Sequence, residues 1–117
     1  MSKLILKDYY MDVDVEISLE RAEYAYGGSL AIQMYYFDKE DGMYFPYGTL
    51  TVNLEGKTLE KDCAFVDVNN NGSSILEWIE KNGLGKRTGR IEQSGFCLFP
   101  EVKFNIEEID KYKRKDC

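Results

Sequence analysis

The sequence predicts an α+β domain, an antiparallel sheet of five or six strands with one main helix packed on one face. Three observations point there. Several short segments alternate apolar and polar residues with period two, as in "DVDVEI" at 12–17. Mostly sequential strands are separated by turn residues, as in "KEDG" at 39–42. A single stretch, 74–82, has helical spacing. With 117 residues, 44% of them hydrophobic, the chain holds one core of ordinary size, and a single domain over 1–117 is expected.

Taken in order, "KLILKD" (3–8) reads as a short apolar strand. "MDVDVEISL" (11–19) alternates Val13, Val15 and Ile17 with Asp12, Asp14 and Glu16, which predicts one buried face and one acidic face. "SLAIQMYYFD" (29–38) is a strong strand that turns back through the hairpin residues 39–42. Pro46 cannot occupy a central ladder position, so "MYFPYG" (43–48) belongs at an edge or in a loop. "TLTVNL" (49–54) and "CAFVDV" (63–68) are further strands joined by "EGKTLEKD".

The stretch "DVNNNG" (67–72) matches the first half of a calcium-binding EF-hand loop. The count then fails: position 12 is Trp78 rather than glutamate, and a strand rather than a helix leads in. A strand, turn and helix start explain it better, with Ser74 and Glu77 as a capping box and Ile75, Leu76, Trp78 and Ile79 as the apolar face. Gly83 stands where a left-handed residue ends the helix, and Leu84 follows to pack back on its last turn. "GLGKRTGR" (83–90) reads as a loop, "GFCLFPEVKFNI" (95–106) as a strand broken by Pro100, and "EEIDKYKRKDC" as a short helix or frayed end. Met34, Tyr36, Leu50, Val52, Phe65 and Trp78 are the expected core.

The chain has no histidine, and its three cysteines (Cys63, Cys97 and Cys117) include no C-x-x-C pair. Histidine-assisted nucleophiles are thereby excluded, and zinc sites and disulfide frameworks are not expected. Carboxylate-only catalysis, as in a carboxylate-dependent nuclease, stays open but no spacing singles out a pair of acids for it, and the expected reading is a non-enzymatic protein without cofactor or metal. Cys63 and Cys97, flanked by apolar residues, read as small core residues. The N-terminal stretch turns acidic before a signal-peptide core develops, and no apolar run has membrane-spanning length. The expectation is a cytoplasmic protein without membrane contact. The sequon at Asn71 is then without consequence.

The net charge of −6 lies wholly in residues 1–60, where 11 acids face 5 bases; residues 61–117 carry 10 of each. A negative surface repels phosphate backbones, so direct DNA binding is not expected, while a basic protein partner is attracted and steered. A solvated, solubilising surface accounts for the same charge without any partner, and on charge alone that is the expected reading. Tyr24, Tyr26 and Tyr35, from an aromatic-rich stretch at 24–47, are a candidate contact surface because tyrosine supplies area with few rotors to freeze, and cross-strand ring pairs on a half-exposed sheet explain the same stretch equally well. The alternative surface is basic: Lys86, Arg87 and Arg90, with the tail residues Lys111, Lys113, Arg114 and Lys115, would grip RNA phosphates.

The blocks "YGTLTVNL", "CAFVDVNNN", "EKNGLG" and "SGFCLFPEVKFN" resemble the signature blocks of a small, functionally unassigned domain family carried on plasmids and conjugative elements of Gram-positive bacteria. They cover residues 47 to about 105 and consist mostly of turn glycines and core strand residues. In size, acidity and lack of catalytic residues the chain is also similar to anti-CRISPR proteins that inhibit type II CRISPR effector nucleases. That resemblance implies a protein inhibitor whose partner is such an effector, alone or with its guide RNA, which hinders guide loading or DNA engagement and whose contact set is Asp12, Asp14, Glu16, Glu20, Glu23, Asp38, Glu40 and Asp41. The alternative is an accessory RNA- or protein-binding factor of a phage, plasmid or other mobile element.

Overall fold

The computed structural model describes residues 3–8, 10–25 and 29–115. These residues form two four-stranded antiparallel sheets and three short helices. The first sheet has the order β1 (Ile5–Asp8), β2 (Val13–Glu23), β3 (Leu30–Asp38), β4 (Met43–Thr49). The second has the order β5 (Thr51–Val52), β6 (Cys63–Val66), β8 (Cys97–Phe104), β7 (Gly85–Ser94). The helices are α1 (Val68–Asn71), α2 (Ser74–Lys81) and α3 (Ile106–Asp110). The expected α+β class holds, but in place of five or six strands in one sheet under one main helix the described residues form eight strands in two sheets with three short helices.

The division occurs at Leu50, which is fully buried. Its N–H donates to Ile32 O of β3 at 2.9 Å, while its own carbonyl accepts from Asp67 N–H at 3.0 Å, on the side of the second sheet. One residue therefore hands the chain from one ladder to the other. Thr51 completes the junction from the side: its Oγ1 accepts from Ile32 N–H at 3.1 Å and hydrogen-bonds the Tyr24 hydroxyl at 2.8 Å. The expected strand at 49–54 is thus reduced to Thr51–Val52, because the change of sheet uses up its start.

The main core lies between the inner face of the first sheet (Leu4, Ile17, Leu19, Ile32, Met34) and one face of the second (Ala64, Val66, Val102, Phe104). Ile75, Leu76 and Ile79 of α2 and Ile109 of α3 close it. The opposite face of the second sheet carries a smaller cluster, Leu54, Phe65 and Phe99, beneath Val52, Leu59 and Cys97. Of the expected core, Met34, Leu50 and Phe65 are fully buried, whereas Tyr36, Val52 and Trp78 pack on the rims of the two clusters. Cys63 is buried among them, as expected of a small core residue, and Cys97 is half-buried.

Alternation along β2 fades toward its start. Ile17 is buried and Val15 half-buried, but Val13 is 50% exposed because this end of the strand runs past the core. Asp12 is not on the strand; it occupies the β1–β2 turn with a left-handed φ of 53°. β4 is the edge strand that Pro46 requires. The β3–β4 hairpin turn is closed by Gly42 (φ 65°), whose N–H donates to Asp38 O at 2.7 Å.

The "DVNNNG" stretch is a full helical turn. Asp67 caps α1 by accepting from Asn70 N–H at 3.3 Å and Asn70 Nδ2 at 2.7 Å, and Asn71 Nδ2 donates to Thr49 O and Asp67 O. α1 runs almost directly into α2, so the carbonyls of Gly72 and Ser73 take the first N–H groups of α2. The residue before α2 is Ser73, without a side-chain cap, and Ser74 is already helical. The expected Ser74–Glu77 capping box therefore does not form. The helix end follows expectation: Gly83 (φ 71°) donates to Glu80 O and buried Leu84 to Ile79 O, a Schellman motif.

The "GLGKRTGR" segment is not a loop beyond Leu84, since Gly85–Arg90 opens β7. Its ladder with β8 is interrupted between Arg87 and Ile91, where Gly89 takes φ 93°. β8 passes unbroken through Pro100. Phe104 N–H points toward β6, donating to Asp62 O at 2.8 Å, so strand alternation turns position 100 the same way. The β6 pairing has already ended at Phe65–Glu101, and the missing proline N–H breaks no ladder bond there.

Replacing Thr51 by valine keeps the shape but leaves Ile32 N–H without its acceptor and the Tyr24 hydroxyl without its partner. Urea unfolding should report a loss of about 2 kcal/mol. Gly83 and Gly85 make a second test. A Cβ on Gly83 meets nothing within 4 Å, whereas one on Gly85 would stand 2.7 Å from Val102 Cγ1 and 2.8 Å from Lys103 O. Gly85→Ala should cost about 3 kcal/mol, against about 1 kcal/mol for Gly83→Ala despite the left-handed φ of Gly83. Equal melting temperatures for the two variants would contradict the packing of β7 on β8.

Candidate partner-binding face

Alternation divides the aromatic stretch into two layers. Tyr36, Phe45 and Tyr47 face inward, with Tyr36 stacked on Phe45 (ring centroids 5.7 Å apart) and edge-on to Tyr47 (6.1 Å). Tyr35, Phe37 and Tyr44 take the outer face, where Phe37 and Tyr44 meet edge-on at 5.0 Å. Ser18 pairs with Tyr35 and Glu20 with Gln33, so Asp14, Glu16 and Glu20 of β2 share this outer face with the second aromatic layer. The fold thereby gathers four of the expected contact residues, Asp14, Glu16, Glu20 and Tyr35, on one surface.

The other members of the expected set lie elsewhere. Asp12, Glu40 and Asp41 are exposed on hairpin turns, and the Asp38 carboxylate accepts from Glu40 N–H at 2.9 Å. Tyr24 is half-buried, with its hydroxyl committed to Thr51. Tyr26 lies outside the described residues, as does Cys117. Lys7 reaches Asp12 at 3.3 Å and Lys3 reaches Glu16 at 3.5 Å, both in solvent, so these pairs hold their side chains only loosely. Near the hairpin end, Lys3, Lys39 and Lys115 line a cleft of about 430 Å³ with Phe37 and Tyr44, so charge on this side is mixed.

The C-terminal segment crosses the same face. Tyr112 O accepts from Leu19 N–H at 2.9 Å, which ties the segment to the edge of β2. Arg114 N–H then donates to Glu20 Oε2 at 3.1 Å, and Lys115 N–H donates to the Tyr44 hydroxyl at 3.3 Å. The Arg114 guanidinium lies over the Tyr35 ring, 4.1 Å from its centroid, with Nη2 3.7 Å from Glu20 Oε1. Sequence reading treated this tail as part of a basic surface and did not connect it with the acidic strand.

The basic alternative is largely engaged within the fold. Arg87 binds one Glu80 carboxylate twice, through its guanidinium at 2.7 Å and its N–H at 3.0 Å. These bonds hold the Glu80 carboxyl below its ordinary pKa. Arg90 donates to Thr58 O at 2.7 Å, bridges Glu92 and the buried Glu101 at 3.2 and 3.1 Å, and lies over the Phe65 ring. Lys86 is exposed.

A broad groove of about 1600 Å³ opens between the far end of β2 and the 53–62 loop. Its walls mix acids such as Glu23, Glu55 and Glu60 with bases such as Lys57 and Lys61. Beside it, Arg21 forms a two-pronged pair with Asp110 of α3, both bonds 2.7 Å, which lowers the Asp110 pKa. Among the described residues no group of three or more cysteine, aspartate or glutamate side chains is arranged to hold a metal ion. Cys63 is buried, and that burial pushes its thiol pKa up.

Behind the outer face, a clasp sets the curvature of the first sheet. Tyr47 of β4 donates its hydroxyl to Asp8 Oδ2 of β1 at 2.7 Å. These are the two edge strands, so the sheet rolls until its first and last strands meet. Desolvation, with the Asp8 bond second, pushes the Tyr47 pKa up to about 12, and the same bond is the first cause that lowers Asp8.

Residues 18–117 match the family described as a domain of unknown function, DUF4313. No curated protein and no solved structure matches the chain. Among the described residues no helix is long and apolar enough to cross a membrane.

The clasp gives a pH signature. A tyrosine whose folded pKa is raised stabilises fully below its unfolded value near 10 and ceases to do so as pH climbs through about 12. An aspartate with a depressed folded pKa stabilises above its unfolded value, and that contribution disappears as pH falls through the folded one. Tyr47→Phe should therefore cost about 1 kcal/mol at neutral pH. The gap between the wild type and this variant should narrow above pH 10 and again at strongly acid pH. Denaturant unfolding at pH 3, 7 and 11 would measure it, and a gap constant across all three would dismiss the clasp.

Proposed function

We propose that this chain, which belongs to the DUF4313 family, is a non-enzymatic inhibitor that binds a type II CRISPR effector nuclease and hinders guide-RNA loading or DNA engagement. The observation that carries the reading is the joining of Asp14, Glu16 and Glu20 with Tyr35 on one outer sheet face. An acidic rim gives on-rate and orientation toward a basic protein, and a ring on the same surface gives contact area. A nuclease that holds a guide-paired heteroduplex has a positively charged channel as its matching surface. The specific partner rests on the resemblance to anti-CRISPR proteins of plasmid- and phage-borne elements. The engagement of Arg87 and Arg90 in internal pairs weighs against the accessory RNA-binding reading.

The test uses reconstituted effectors with and without guide RNA, and two double variants. Asp14→Lys with Glu16→Lys alters the outer face and leaves Ile17 and Leu19 on the buried side untouched. It should weaken inhibition about tenfold at low salt, with the difference shrinking as salt screens the pair. Lys86→Ala with Arg87→Ala should leave inhibition unchanged. Arg90 is spared because its loss would strand the buried Glu101 carboxylate. The reverse pattern, with guide RNA bound by the protein alone and lost in the Lys86/Arg87 variant, would favour the accessory-factor reading. No effector bound by the wild type would reject the proposal.

A further inference from the structure

The outer face already contains a seated arginine. The Arg114 guanidinium is stacked 4.1 Å from the Tyr35 centroid, next to the Glu20 carboxylate at 3.7 Å, and the Arg114 backbone N–H is bonded to the same carboxylate. A planar cation over a ring with an acid beside it is a geometry that guanidinium fills better than ammonium, because only the former stacks flat while directing N–H groups sideways. The fit of the chain's own residue is incomplete: Arg114 Nε is buried and has no acceptor among the described residues, although a buried donor ordinarily has one. Phe37, Tyr44 and Glu16 extend the same surface along the sheet, with space beside them.

We propose that Tyr35 and Glu20 form an arginine-reading subsite for an extended basic segment of a protein partner, and that Arg114 occupies it in cis until such a segment displaces the tail. The proposal rests on the reading of this face as the partner-binding surface and specifies what it recognises. The tail is well suited to exchange. Among the described residues it is held by three backbone bonds, Leu19 N–H to Tyr112 O, Arg114 N–H to Glu20 and Lys115 N–H to the Tyr44 hydroxyl, by the stacked Arg114 side chain, and by Tyr112 as its apolar anchor. A competing segment thus has to replace only a few contacts. Occupancy in cis reduces the apparent affinity for any competitor by the fraction of molecules whose subsite is open.

The probes are the capped tripeptides tri-arginine and tri-lysine, titrated into the full chain by calorimetry and followed at Tyr35 by NMR. Arg114→Ala should bind tri-arginine about tenfold more tightly than the wild type does, and more tightly than it binds tri-lysine. Adding Tyr35→Ala should abolish both the gain and the preference. Arg114→Lys keeps the charge and backbone bonds but loses the stacking, so it should show a smaller gain; it replaces the alanine variant should that one melt early. Equal affinity in the wild type and both Arg114 variants, or equal binding of the two peptides, would overturn the subsite. The same variants assayed on the effector nuclease separate the two readings. Peptide selectivity without nuclease inhibition leaves the subsite standing and removes the proposed function. Inhibition by the wild type that Arg114→Ala leaves unimproved, together with unselective peptide binding, does the opposite.

Discussion

The arrangement depends on how buried backbone polar groups are satisfied where the chain leaves one sheet for the other. At Leu50 the ladder of the first sheet ends, and a carbonyl and two N–H groups would be stranded in the core without partners. Three hydrogen bonds resolve this: Leu50 to Ile32, Asp67 to Leu50, and Ile32 to the Thr51 hydroxyl. Because Asp67 is also the cap of α1, the junction fixes where the helical region starts, and therefore where α2 meets the inner face of the first sheet. The Trp78 indole then donates to Ile5 O at 2.7 Å, carrying the constraint as far as β1. The outer face of that sheet is displayed only because its inner face is held in this way.

Charge is organised by the same logic of local satisfaction. The buried Glu101 carboxylate is supported by Thr88 Oγ1 at 2.6 Å and by Arg90, and a second arginine, Arg87, closes α2 against β7 through Glu80. Most of the arginine charge in the second half of the chain is thus used to balance acids on neighbouring elements. The acids of β2 are handled differently: Glu16 pairs with Lys3 at 3.5 Å and Glu20 with Arg114 of the tail at 3.7 Å.

The α+β class, the β3–β4 hairpin, the edge position of Pro46 and the Gly83–Leu84 helix end were legible because each depends on local chemistry: period, turn residues or a left-handed φ. The two-sheet division was not, since nothing in "YGTLTVNL" distinguishes a strand that continues from one that changes partners at Leu50. Reading β7 as a loop had a similar cause: "GKRTGR" lacks apolar alternation because its start is an exposed edge with a bulge. The capping box misled because Ser74 and Glu77 have the correct spacing, while α1, only four residues long, had already supplied the helix start. For the outer face, the acids of β2 and Tyr35 could be read from alternation. The seat of Arg114 could not, as it joins residues 94 positions apart.

The rolled first sheet and the bulged β7 also bear on self-association. A sheet edge with open N–H and C=O groups is a template on which another chain can add a strand. In the first sheet the Asp8–Tyr47 clasp brings the two edges together, and the tail residue Tyr112 occupies part of the β2 edge beyond β1. The second sheet has a long edge in β7, next to exposed Ile91, Phe96 and Leu98, a combination that invites such addition. There the kink at Gly89 interrupts the run of evenly spaced bonding groups, and Lys86, Arg87, Arg90 and Glu92 set charges along it. The residues that looked like a grip for nucleic acid thus lie along an exposed strand edge, where like charges and a kink make edge-to-edge pairing with a second copy unfavourable.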